Sequence, residues 1–385
     1  MDRAPRIMIS AGEASGDRLG AGLARALRER RPEIELLGMG GELMREAGVR
    51  LLQDASEVAV VGIVEVLSHL PALRRAMGTL TRALDVERPD LLVPIDFPDF
   101  NLRLSARAKR FDVPVVYFVS PQIWAWRRGR VHGIGRLVRR MLVLFPFETR
   151  FYEQAGVPVN FVGHPVAETA EEIPSREELC GRAGLDPGRR TVALLPGSRR
   201  IEIARLASVM LDAAKILQRD RRELQFLVPV APGLDPAALR QQVAASGLRD
   251  CRLHTGDFPA ILSVCDAGVV ASGTASLQAA VVGMPMVVVY RVGALSHMLG
   301  KMLLRVDSVA LPNLVAGRRV VPELIQGELR AEAVAAILAD YLDRPGTVEE
   351  VRRGLREVRQ RLGGGGVFER AAELVLAELA SGQSR

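Results

Sequence analysis

Only three cysteines stand among 385 residues, Cys180, Cys251 and Cys265, and no two of them form a CxxC pair. That excludes a disulfide framework and a thiolate zinc site as the organising feature of the chain. The five histidines are scattered with no HxxxH spacing, and no DxD triplet occurs, so a metal-bridged diphosphate has no evident ligand set. The GxGxxG dinucleotide fingerprint and the GxxxxGK[ST] phosphate loop are both missing. No apolar run reaches the roughly 18 residues that cross a bilayer. The opening MDRAPRIMISAGEASGD enters a strand at once and lacks a signal-peptide profile, so the expectation is a reduced, cytoplasmic protein. Lysine is nearly absent: three of the 52 basic residues are Lys109, Lys215 and Lys301. Such a skew can come from genome composition, so most of the arginines are given no role.

What remains is an ordinary globular composition, 48% hydrophobic and 25% charged, at a length that suits two domains. The formal charge of +7 favours anionic partners: nucleic acid, acidic lipid or phosphorylated substrates. The first half alternates strands (Arg6 to Ser10, Glu35 to Met39, Asp90 to Ile95, Pro114 to Val119, one within Leu137 to Phe145, Val159 to Val162) with helical patterns. One of these patterns, Ser68 to Arg88, is interrupted by Pro71. After a linker at 163–178 the alternation restarts, with strands at Thr191 to Leu195, Gln225 to Val230, Cys251 to His254, Ala267 to Ala271 and Met286 to Tyr290. Repeated βα units mean parallel sheets covered by helices, an α/β fold of two Rossmann-like domains facing one another across a cleft. The expected division is 1–164, 165–346, and C-terminal helices over 347–385 that cross back to the first domain.

Ligands in such sheets bind beyond the carboxyl ends of the strands, which directs attention to five loops. TVALLPGSRRIEIARL (191–206) is a strand, a tight turn and a helix, with Ile201, Ala204, Leu206 and Val209 read as its apolar side. Gly197 would admit a ligand close to the backbone, Ser198 can cap the helix or donate, and Arg199 can fork onto phosphate oxygens at a helix start. VVASGTASLQAAVVGMP (269–285) repeats the arrangement with Ser272, Gly273 and Thr274, and Gln278 lies one turn inside. AGEASGD (11–17) sets Gly12, Glu13, Ser15, Gly16 and Asp17 after the first strand. Its carboxylates suit sugar hydroxyls or acid–base work, and the plainer reading is a helix cap by Ser15 or Asp17. IDFPDFN (95–101) ends a strand at Asp96, a general base or a structural acceptor, with Asp99 as the better cap and Asn101 beyond it. SPQIWAWRRGRVHGIGRLVRR (120–140) joins both tryptophans to Arg127, Arg128 and Arg130, and VLSHLPALRRAM (66–77) mixes apolar residues with Arg74 and Arg75. Both suit an anionic lipid interface or, for the first, nucleic acid, and equally a solvated helix or core packing.

Taken together and in this order, AGEASGD, VGIVEVL (61–67), IDFPDFN, SPQIWAWR, FPFE (145–148), GHP, LLPGSR, ASGTASLQ and LPNLVAGR (311–318) resemble the lipid-A-disaccharide synthase family across nearly the whole chain. The resemblance implies a GT-B glycosyltransferase that joins UDP-2,3-diacylglucosamine to 2,3-diacylglucosamine 1-phosphate (lipid X) with inversion, giving a β-1,6-linked disaccharide 1-phosphate and UDP. It implies Asp96 as general base and Glu13 as the group that places the acceptor. Gly12, Ser15, Gly16, Asp17 and Asn101 would line the acceptor side. Gly197, Ser198, Arg199, Ser272, Gly273, Thr274, Gln278 and Asn313 would bind the UDP-sugar. No cofactor and no metal are expected. The implied partners are the two lipid substrates and the anionic inner-membrane surface, met peripherally, with no nucleic acid; a homodimer is compatible. The sequence departs from the family at Gln278, where glutamate is usual, which weakens the expected hydrogen bonding to the ribose. Another UDP-sugar transferase of this fold, or a UDP-N-acetylglucosamine epimerase, is the nearest alternative, and IDFPDFN and SPQIWAW speak against both.

Overall fold

A computed structural model of the chain describes residues 3–58, 66–121, 129–170, 173–231, 233–292 and 308–383. The chain divides into two compact units, Met1–His164 with Gly366–Arg385, and Pro165–Gly365.

The first unit runs β1 (Arg6–Ala11), α1 (Ala14–Arg30), β2 (Glu35–Gly40), α2 (Glu42–Glu46), β3 (Arg50–Asp54), α3 (Val66–Val86), β4 (Leu91–Ile95), α4 (Pro98–Ala108), β5 (Val116–Phe118), α5 (Arg130–Gly135), β6 (Arg140–Val143), α6 (Pro146–Glu153) and β7 (Val159–Phe161). Its seven strands are parallel in the order β3-β2-β1-β4-β5-β6-β7. The second unit contains α7 (Arg176–Ala183), β8 (Thr191–Leu195), α8 (Arg200–Asp220), β9 (Gln225–Val230), α9 (Pro236–Ser246), β10 (Cys251–Thr255), β11 (Ala267–Ala271), α10 (Thr274–Val281), β12 (Met286–Tyr290), α11 (Leu311–Ala316), β13 (Glu323–Ile325), α12 (Ala331–Asp343) and α13 (Pro345–Arg361). Its six parallel strands follow β10-β9-β8-β11-β12-β13, the Rossmann order.

The side-chain alternation of a strand explains why β1 is buried from Ile7 to Ala11 and apolar there except for Ser10. Ile7, Ile9 and Ala11 face a core shared with Leu23 and Leu27 of α1, while Met8 faces a second core with Leu80 and Leu84 of α3 and Leu104 of α4. A strand buried on both faces has no polar register, which is the mark of a parallel sheet under helices. Each fully buried aliphatic side chain contributes about 1.5–3 kcal/mol, so these two cores fix the sheet firmly.

Four expectations change. Strand β3 (RLLQD) escapes the sequence reading because it is an edge strand, exposed or half-buried along its length, with only two apolar residues. Helix α3 runs through Pro71, which removes a backbone donor beyond the first turn; the helix continues because Ala76, Leu80, Ala83 and Leu84 downstream are held in the core. The buried side of α8 is Leu206, Ala207, Met210, Leu211 and Ala214, while Ile201 is 57% exposed and Ala204 is exposed as well, so the first turn stands clear of the core. Of the C-terminal helices, α13 stays with the second unit, and only α14 (Val367–Gln383) joins the first. There Val367, Ala371, Ala372, Val375 and Leu379 enter the core beside α1. Among the described residues no helix is long and apolar enough to cross a membrane.

Candidate active site

Each sheet reverses its strand order once, between β1 and β4 in the first unit and between β8 and β11 in the second. Crevices at such switch points are where open α/β sheets bind ligands. In the first unit Ala11 pairs with Ile95, so Gly12 and Asp96 leave adjacent strand ends side by side. Gly12 is required there, since a Cβ would lie 2.2 Å from the Phe97 ring. Asp96 and Phe97 both adopt left-handed backbone, with φ of 45° and 48°. For two successive non-glycine residues that is a costly conformation, of the kind that persists where surrounding structure holds it.

The holding groups are visible. Tyr117 Oη donates to the Asp96 carbonyl at 2.7 Å, and Asn101 Nδ2 donates to the same oxygen at 2.8 Å. Asn101 also donates to the carbonyls of Ser10 and Ile95, and its Oδ1 accepts from Ser10 Oγ at 2.7 Å. Fully buried, Asn101 is a clasp across the ends of β1 and β4 and has no face left for a ligand, a correction to its reading as a substrate contact. The Asp96 carboxyl is half-buried and faces the negative charge of Glu13. Burial first, and Glu13 second, push its pKa up to about 6. A carboxylate so placed is largely ionised at pH 7 and more basic than an ordinary aspartate, the condition for a general base.

Glu13 and Ser15 are exposed at the start of α1, with Glu13 as the residue that opens the helix, and Gly16 is buried against Ala11. Asp17 is buried, and its carboxylate accepts from the backbone nitrogens of Gly41 (2.7 Å), Met44 (3.1 Å) and Leu43 (3.2 Å). It therefore caps α2 and is not a sugar contact, nor does it cap its own helix, because three backbone donors already occupy its oxygens. Asp99 does not cap α4 either. The residue at that position is Phe97, and exposed Asp99 pairs with Arg130 at 3.4 Å.

In the second unit Leu195 pairs with Val270, which sets the 196–199 turn beside Ser272–Thr274. Gly197 (φ 115°) and Gly273 (φ 150°) both need glycine. Arg199 is 79% exposed and reaches Glu202 at 3.2 Å. The same Glu202 carboxylate accepts from the backbone N–H of Ser198 (3.1 Å) and Arg199 (3.3 Å), so an internal anion sits on the donors of this helix start. Ser198 is exposed and does not cap the helix; Glu202 does that work. A glutamate three residues into a helix after a Gly-Ser turn is the sequence signal for it.

The second helix start is braced from behind. Ser272 Oγ donates to the Val309 carbonyl at 2.7 Å. Val309 N donates to Glu323, which also accepts from Ser308 Oγ and, at 2.6 Å, from Asn313 Nδ2. Asn313 Oδ1 in turn accepts from the nitrogens of Val320 and Val321. Asn313 is buried and its amide is consumed internally, so it supports the Ser272 turn from the rear; its reading as a donor-sugar contact is corrected. Thr274 is exposed and Gln278 half-buried at the open side. Tyr117 and Glu323 carry no signal in the sequence, because their roles depend on which strands become neighbours. Arg127, Arg128, both tryptophans and most of VGIVEVL lie outside the described residues.

Comparison with known proteins completes the assignment. A family model described as lipid-A-disaccharide synthetase matches residues 7–364. The lipid-A-disaccharide synthase of Geobacter sulfurreducens is 50% identical over 374 residues, 97% of each chain. That of Myxococcus xanthus is 46% identical over 383 residues, the full length of both. Among solved structures, the calicheamicin glycosyltransferase CalG4 superposes with a TM-score of 0.60 at 18% identity, covering 98% of this chain and 99% of that one. A UDP-GlcNAc 2-epimerase from Neisseria meningitidis, bound to UDP-GlcNAc, gives 0.64 at 12% identity, over 97% and 99%. At such identity these likenesses establish the fold, which is GT-B. With two Rossmann-like units, polar loops at both switch points, and near-full-length identity of about half to named relatives, this chain belongs to the lipid-A-disaccharide synthase family of glycosyltransferases.

Proposed function

We propose that the enzyme transfers the sugar of UDP-2,3-diacylglucosamine to the 6-hydroxyl of lipid X with inversion, Asp96 acting as the base. The observation that carries this reading is the Asp96 carboxylate, held on strained backbone at a switch point with its pKa raised to about 6. The acceptor hydroxyl passes its proton to Asp96 as its oxygen bonds to the anomeric carbon. The bond from that carbon to the diphosphate oxygen breaks and UDP departs. Arg199 and the N–H groups opening α8 and α10 meet the charge on the leaving diphosphate. Both substrates are acylated, so the enzyme works at the anionic inner-membrane surface.

The pH dependence tests the base. The acid limb of kcat/KM should fall near pH 6, because protonated Asp96 cannot accept the hydroxyl proton. Glu13→Gln removes a charge that raises Asp96, so the limb should move to lower pH while activity persists. A limb that stays in place after this substitution contradicts the pairing of Glu13 with Asp96.

Glu202 supplies a second test, this time of the nucleotide side. Its carboxylate holds donors that a diphosphate would need. Glu202→Gln keeps an acceptor oxygen for the helix start but removes the competing charge. UDP binding by calorimetry should tighten about two- to fivefold, the effect of one exposed charge at a helix end. Unchanged or weaker binding would remove this helix start from the diphosphate site.

A further inference from the structure

Left-handed backbone at non-glycine residues is concentrated at two neighbouring strand ends of the first unit: Asp96 and Phe97 after β4, and Val119 (φ 70°) after β5. For a β-branched residue such as Val119 that conformation is a genuine outlier. The two ends are tied together. Ile95 pairs with Phe118, and Asp96 N donates to the Phe118 carbonyl at 3.1 Å. Tyr117 makes the return tie. Its backbone belongs to β5, and its fully buried ring lies in the core that also holds Leu104 of α4 and Met141 of β6. Its hydroxyl reaches across to the Asp96 carbonyl, its sole hydrogen-bond partner among the described residues. Burial first, and the charge of Asp96 second, push the phenol well above its ordinary pKa, so it remains a donor throughout the pH range of an assay.

The consequence is geometric. Strand pairing fixes the nitrogen of Asp96, and Tyr117 fixes its carbonyl. With the planar peptide groups on both sides held, tetrahedral geometry leaves one direction for the Cα–Cβ bond. Asn101 shares the Asp96 carbonyl but also holds the Ser10 and Ile95 carbonyls, so it serves the strand ends as a whole. The Tyr117 hydroxyl acts on the 96–97 peptide alone. We propose that Tyr117 is a positioning residue for the transfer: by gripping the Asp96 carbonyl, it aims the Asp96 carboxylate at the acceptor hydroxyl without itself touching substrate. This rests on the reading of Asp96 as the base.

The test compares Tyr117→Phe and Tyr152→Phe in the full-length enzyme, each alone and with Asp96→Asn. Tyr152 is the control, a fully buried phenol of the same core whose hydroxyl pairs with Ser120 Oγ at 2.9 Å and not with Asp96. Tyr117→Phe should lower kcat about tenfold or more and leave KM for both substrates within about twofold, because a misaimed base loses rate and not affinity. Its acid limb should move below the wild-type position near pH 6, since a released carboxyl gains water. Tyr152→Phe should leave the limb in place and kcat within about threefold of wild type. In the Asp96→Asn background, Tyr117→Phe should cost less than about twofold more, because the group it aims no longer takes the proton. Rates are referred to the folded fraction from urea unfolding, which separates lost aim from lost fold.

A Tyr117→Phe enzyme with wild-type kcat and an unmoved limb would overturn the proposal. So would an equal loss in Tyr152→Phe, which would make the effect a general loosening of the core. A full, multiplicative loss on top of Asp96→Asn would overturn it too, since Tyr117 would then act by a route other than Asp96. Wild-type turnover in the single variant Asp96→Asn would remove the base reading, and the proposal with it, so the two failures are read from different variants.

Discussion

Asp96→Asn is expected to lose transfer activity about 10²- to 10⁴-fold while making the folded protein more stable at neutral pH. The two effects have one cause. Burial and the charge of Glu13 hold the carboxyl near 6 against an ordinary value of 3.8, so the fold disfavours the ionised form. A group whose pKa is raised by folding destabilises the fold as pH rises between the unfolded and folded values. At pH 7 the whole cost is present, up to about 3 kcal/mol for such a displacement, and below about pH 4 it is absent. Asparagine matches the shape and keeps an acceptor oxygen for the Phe97 N–H, yet carries no charge and takes no proton. The urea midpoint of the variant should therefore rise at pH 7 and match wild type near pH 4. A variant that is inactive and also less stable at pH 7 would mean that Asp96 is structural, its charge satisfied by the fold. An active variant would move the base elsewhere, to Glu13 first.

Asn313→Ala is expected to cost about 2–4 kcal/mol of stability and to weaken UDP binding about tenfold. The amide makes four internal hydrogen bonds, to Val320 N, Val321 N, the Val321 carbonyl and Glu323. Removing it leaves two buried backbone donors without that acceptor, and deprives the buried Glu323 carboxylate of one of its donors. Glu323 in turn positions Ser308 and Val309, and Val309 receives the Ser272 hydroxyl. The damage thus travels to the α10 start without Asn313 touching nucleotide. Thr274→Ala is the comparison: Thr274 is exposed at the same turn, and its loss should leave stability within about 0.5 kcal/mol of wild type. Thermal denaturation and calorimetry with UDP check both. If Asn313→Ala kept full stability and lost only affinity, the amide would be a ligand contact after all.

The same residues show what a sequence can and cannot disclose here. Strands β11 and β12 are legible to the residue, since AGVVA and MVVVY are short apolar runs rich in β-branched side chains, bounded by turn residues. The loops that follow them are legible as well, because glycine and small polar residues at a strand end constrain the backbone in few ways. Edge strand β3 is not, since only Leu51 and Leu52 pack against the two cores and an edge strand so lightly covered needs no longer apolar run. The face of α8 is not legible at its first turn, where Ile201 follows helical spacing but lies beyond the core. Polar residues beside those loops are the harder case. Asp17, Asn101 and Asn313 look like ligand contacts in one dimension. In three, each satisfies backbone groups from another element, α2, β1 with β4, and the 320–321 segment. Nothing local separates an asparagine that holds a strand end from one that holds a sugar. The distinction is made by burial and by which chain segments become neighbours.

The most direct test of the account is product analysis with purified protein, UDP-2,3-diacylglucosamine and lipid X, in the presence of EDTA. The predicted result is one UDP released per β-1,6-linked disaccharide 1-phosphate formed, with no release when lipid X is left out. UDP release without acceptor, or an epimerised UDP-sugar in place of a disaccharide, would contradict it.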